Sequence, residues 1–191
     1  MNKLQWNKKV VNVLNDNNDI KFNLVHHDMI VLNYFCDNQQ NININIVQTD
    51  NTYFVLNLTG IINKACTINI INNISGNNNT SIINVRALGN ADAIINVEVK
   101  VSEGTVGNKT IQNLKGINEN GSLTILPIFE IDTNNVDAEH FVTVGPYDKN
   151  TLFYLQSKGI SLESAYKLLQ KSFLYSLFSG EFLERINKKG D

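Results

Sequence analysis

The chain has 191 residues, 42% hydrophobic and 18% charged, with a net charge of −2. This is enough apolar material for one ordinary core, which excludes global disorder. The slightly acidic balance gives no electrostatic case for nucleic acid or an anionic membrane as partner.

The first eighteen residues carry charges but no apolar segment followed by a small-residue cleavage site, so a secretory signal is not expected. No run approaches the ~18 uninterrupted apolar residues of a spanning helix. The expected compartment is a reducing cytoplasm. Cys36 and Cys66 fit no metal or redox spacing. Each lies in an apolar run and reads as a small buried hydrophobe. Residues 20–24 alternate apolar and polar, and residues 29–35 are mostly apolar. His26 and His27 sit between them. In a strand, neighbours face opposite sides, so these two are expected to be ordinary surface and edge residues.

From residue 41 a repeat appears. It reads Ile44-Asn45-Ile46, Leu56-Asn57-Leu58, Ile68-Asn69-Ile70, Ile83-Asn84-Val85 and Ile95-Asn96-Val97. The steps are roughly twelve residues, with turn formers between them: Asp50-Asn51, Gly60, Ser75-Gly76-Asn77 and Gly89-Asn90. Alternation at this spacing predicts an all-β fold. A β-sandwich and a β-solenoid both satisfy it. The recurrence of Asn at a like position favours the solenoid, because stacked coils let side-chain amides hydrogen-bond along the stack.

Alternation continues to about residue 110 and is broken by Gly104 and Gly107, which lack the following Lys-[Ser/Thr] of a phosphate loop. Residues 112–122 read as loop or short strand, and 123–131 as the last long strand. Pro127 within it suggests an edge, a bulge or a coil corner. An acidic loop then leads to His140, and a short strand covers 141–144. Asp148 can cap a helix over 151–157, which Gly159 ends in the left-handed region. Ser161 can cap a second helix, with Glu163 suiting its first turn. Ala165, Leu168, Leu169, Phe173 and Leu177 form one apolar stripe on it. A third helical segment is predicted over 181–188. The expected division is a β core over 1–146 and a helical subdomain over 147–191.

A neutral imidazole is a good ligand for iron or zinc, which makes His140 the candidate metal ligand. No G-x-S-x-G, H-E-x-x-H, Walker A or G-x-G-x-x-G motif occurs, and no carboxylates pair convincingly, so the chain is not expected to be an enzyme.

The segment from 125 to 178 resembles the signature of the SufB/SufD family of iron–sulfur cluster assembly scaffolds. The resemblance rests on three stretches in order and at matching spacing. They are Pro127, Glu130 and Ile131; His140, Thr143, Val144 and Gly145; and Leu152 through Leu155 with Ser157, Lys158, Gly159 and Ile160. It implies a right-handed parallel β-helix with a small C-terminal helical subdomain. It further implies a short, SufD-like scaffold subunit that pairs with a SufB-like or identical chain. The C-terminal helices would dock a SufC-like ABC ATPase through Phe153, Tyr154, Lys158, Gly159, Tyr166 and Leu169. The histidine would take part in a transient iron–sulfur cluster shared with the partner chain, with no tightly bound cofactor. The chain departs from relatives at Ala138, where some carry Cys, and at Glu139 and Phe141, where Ser and Gly are usual. The alternative reading is a β-solenoid interaction module with no metal role.

Overall fold

The computed structural model describes residues 5–16, 19–37 and 41–188. Eleven strands precede three helices. The strands are β1 (Asn7–Leu14), β2 (Ile20–Leu24), β3 (Asp28–Cys36), β4 (Ile42–Gln48), β5 (Tyr53–Ile62), β6 (Cys66–Ile74), β7 (Thr80–Gly89), β8 (Ala93–Val101), β9 (Asn108–Asn118), β10 (Leu123–Ile131) and β11 (Val136–Gly145). The helices are α1 (Lys149–Ser157), α2 (Leu162–Tyr175) and α3 (Gly180–Asn187).

Odd strands pair in order as one parallel sheet, β1-β3-β5-β7-β9-β11, and even strands as a second, β10-β8-β6-β4-β2. The chain therefore alternates between two facing sheets and climbs one strand per circuit. The result is a β-solenoid of about five turns, not a sandwich of antiparallel sheets.

Alternation decides which side chains enter it. Leu32, Leu56, Ile83, Ile44, Ile70 and Val97 are fully buried between the sheets, and most of the molecule's apolar core lies there. The outward Asn residues stack into two amide ladders. In the first sheet Asn33 Nδ2 donates to Asn12 (2.8 Å), Asn57 to Asn33 (2.9 Å) and Asn84 to Asn57 (3.0 Å). In the second, Asn43 donates to Asp19, Asn69 to Asn43 and Asn96 to Asn69. One sequence expectation is corrected here. The ladder residue of β4 is Asn43, in register with Asn69, whereas Asn45 stands opposite Ile71.

The corners stack as well. Asn51 and Asn78 take positive φ (54° each) just before β5 and β7, and Gly107 (69°) does so before β9. Asn is the non-glycine residue that tolerates this region best, which is why it recurs at turns. Gly76 is required for another reason: an added Cβ would collide with the main chain at Thr49 and Asp50 on the coil below.

Two boundaries differ from expectation. Residues 108–118 form the full strand β9, and β11 begins at Val136, so Asp137 and Glu139 before His140 lie in a strand, not a loop. Pro127 falls on β10, the edge of its sheet, where the missing N–H costs least.

The Asp148 carboxylate accepts from the N–H groups of Asn150 and Thr151, and Ser161 from that of Ser164. The helices lie on the outer face of the first sheet. Leu174 packs with Leu88 and Ile117, while Phe178, Phe182 and Ile186 pack with Phe35. The Thr59 hydroxyl donates to the Leu174 carbonyl (2.9 Å), tying α2 to β5. Within the expected stripe, Ala165 is buried and Leu169, Phe173 and Leu177 are half-buried, but Leu168 faces solvent and Leu174 takes the inward place.

Candidate functional site

The C-terminal end of the solenoid is open. β10 and β11 are the edge strands of their sheets, and nothing among the described residues pairs with their outer backbone edges. Inward positions of these strands, sealed in every central coil, are only half-covered at Phe129, Ile131 and Val144.

His140 belongs to this end. It stands in register with Gln112 of β9, and its ring lies 5.7 Å from that of Phe129, an inward residue of β10. The imidazole therefore lies above the last closed layer, between the two sheets, and is exposed. Glu139 and Phe141 flank it on the opposite face of β11. Phe141 continues the column of the first Asn ladder above Asn113, and Leu126 continues the second above Asn96. Both are exposed, Phe141 at 57%. The amide ladders thus give way to apolar side chains at this end.

Gln112 is fully buried beneath the histidine. Its Nε2 donates to the carbonyls of Val97 (3.1 Å) and Ile128 (3.3 Å). Val97 lies on β8 and Ile128 on β10, so this one amide ties β9 to two strands of the facing sheet. Its Oε1 is buried and has no partner among the described residues. Gln112 and Phe129 were not singled out from sequence. The signal was present, since one coil of this chain spans 21 to 30 residues and Gln112 precedes His140 by 28.

No group of three or more His, Cys, Asp or Glu side chains converges among the described residues. At the open end His140 is the sole ring-nitrogen donor among them. Cys36 belongs to the other half of the solenoid, on β3. It is buried and free, with its thiol pushed up to about 12, first by burial and then by the neighbouring Cys66 and Asp37. Cys66 is half-buried and free, and burial raises its thiol as well. Both remain thiols near neutral pH and are poor thiolate ligands there.

The six residues expected to meet an ATPase cluster on α1 and α2. Phe153 (74% exposed) and Tyr154 (59%) face solvent, and the Lys158 ammonium lies 5.4 Å over the Tyr154 ring. Gly159, at φ 84°, ends α1. Tyr166 is exposed, with its ring edge-on to Tyr147 at 5.6 Å, and Leu169 is half-buried. Leu162 and Leu168 on α2 are exposed as well.

His26 and His27 lie in the turn between β2 and β3, not in a strand. The positive φ of His27 (69°) brings the two rings to 3.9 Å, and His26 Nδ1 lies 3.1 Å from Asn51 Nδ2. The expectation that they face opposite sides fails because a left-handed residue breaks the alternation.

No helix is long and apolar enough to cross a membrane among the described residues. No curated protein matches the chain. Residues 69–173, from β6 into α2 and more than half of the chain, match the family described as SUF system FeS cluster assembly, SufBD core domain. The match spans the last coils, His140, α1 and most of α2, and on it the chain belongs to the SufBD core family.

Proposed function

We propose that the chain is a SufD-like scaffold subunit of the SUF machinery for iron–sulfur cluster assembly, acting in the cytoplasm and without enzymatic activity of its own. Its open coil joins that of a SufB-like or identical chain, and the surface of α1 and α2 docks a SufC-like ABC ATPase. His140 supplies one ligand to a transient cluster, and the partner chain supplies others. The observation that carries this reading is the unpaired end of the solenoid with a lone imidazole inside it. Edge strands with half-covered apolar side chains are a template for another chain. A single nitrogen ligand cannot hold a cluster, so the donor set fits a shared site and not a resident one.

Nucleotide-driven movement of the ATPase would pull on α2, which is tied to β5 through Thr59 and to the sheet through Leu174. Strain applied there passes through the stacked coils towards the open end. The test is co-expression with the SufB and SufC proteins of the same cell. A stable complex is expected, lost on Phe153→Asp with Tyr154→Asp for SufC and on Phe141→Asp for the partner chain. Three proteins that migrate separately at micromolar concentration would end the proposal. Anaerobic reconstitution with iron and sulfide should give cluster absorbance in the complex, reduced by His140→Ala. Complex formation without such absorbance would favour an interaction module with no metal role.

A further inference from the structure

We infer that Gln112 is a positioning residue for His140: the exposed imidazole turns to bring one ring N–H onto the buried amide oxygen, which has no partner among the described residues, and this leaves the lone pair of the other ring nitrogen turned to the open end. This rests on the reading of His140 as a ligand, but it concerns the metal-free chain.

Four observations point to it. Gln112 is fully buried, and its Oε1 has no partner, which is costly for an amide oxygen removed from water. Its Nε2 is held by the carbonyls of Val97 and Ile128, so the amide cannot turn over without losing both bonds. The residue directly above it in register is His140, one strand spacing of about 4.8 Å away. The Phe129 ring closes the other side of the imidazole. The rest of the molecule supplies the polarity of the bond. In all six ladder bonds the side chain of the later coil donates to the oxygen of the earlier one, as Asn84 does to Asn57 and Asn96 to Asn69. A His140 ring N–H donating down to Gln112 Oε1 follows the same rule.

The consequence is a defined tautomer. A neutral histidine carries one N–H, and the partner of that N–H decides which nitrogen is left free as a ligand. Histidine ligands commonly donate their second ring nitrogen to a carbonyl or carboxylate, and losing that partner typically costs ten- to a hundredfold in metal affinity. With the ring so turned, Gln112 does this before any metal arrives.

The experiment is ¹⁵N-histidine NMR of the full metal-free chain at pH 8, with His140→Asn used to assign its ring. The wild type is expected to show His140 in a single neutral tautomer, and Gln112→Leu, which keeps shape but removes the acceptor, a mixture of two. Gln112→Glu keeps an acceptor and should restore the single tautomer. A wild type with mixed tautomers overturns the inference whether or not the variants fold. An unchanged single tautomer in Gln112→Leu also overturns it, since a merely structural glutamine would leave the ring as it was. Loss of iron retention in His140→Ala with no tautomer effect of Gln112 would retire this inference and leave the ligand reading standing.

Discussion

At the scale of single residues, the asparagines are the informative ones. Asn57, between Leu56 and Leu58, is a middle rung that both donates and accepts, whereas Asn45, between Ile44 and Ile46, makes no side-chain hydrogen bond among the described residues. Each neutral hydrogen bond contributes about 1 kcal/mol net. Asn57→Ala should therefore lower unfolding free energy by about 1–2 kcal/mol, and Asn45→Ala by less than about 0.5 kcal/mol. Urea midpoints measure the contrast, and equal losses would mean that the ladder contributes nothing specific. The repeated amide was legible in the sequence, but its register was not. Ile42-Asn43-Ile44-Asn45-Ile46 holds two overlapping copies of the same triplet, and only pairing with β6 selects between them. Gln112 was missed because an inward polar residue looks like a loop residue when the apolar pattern is read locally.

At the scale of elements, burial overrode local pattern in two places. Residues 112–122 lack strong strand propensity, yet β9 is a long strand because β7 and β11 pair on either side of it. The apolar stripe of α2 was visible, but a stripe gives a face and not its rotation. Packing on Leu88 and Ile117 turns Leu174 inward and leaves Leu168 in water. The third helix depends on that sheet more than the others do. At eight residues α3 is too short to persist alone, and its anchor is Phe182 beside Phe178 and Phe35. Phe182→Ala should cost about 3 kcal/mol locally. Amide-exchange protection over residues 180–187 should vanish while β5 and β7 keep theirs. Uniform loss across the sheet would show that the helix is part of one cooperative unit.

At the scale of the whole molecule, each coil touches only its neighbours, and stability follows the stack. Central strands β5 to β8 have a neighbour on both sides, while β1, β2, β10 and β11 have one each. Amide exchange of the isolated chain is expected to be slowest in β5–β8 and fastest at the two ends, with β10 and β11 gaining protection when the partner chain binds. Equal protection from end to end would overturn both the stack description and the open edge. Period-two alternation and turn formers between the strands are local properties of the chain and determined an all-β fold with helices behind it, while the recurring Asn and the family resemblance carried by the histidine motif pointed to a β-solenoid over a sandwich. Which asparagine joins a ladder, which face of α2 is covered and what lies beneath His140 were decided only by tertiary structure. These depend on partners some 21 to 30 residues away in sequence and one strand spacing away in space, and no local pattern encodes that pairing.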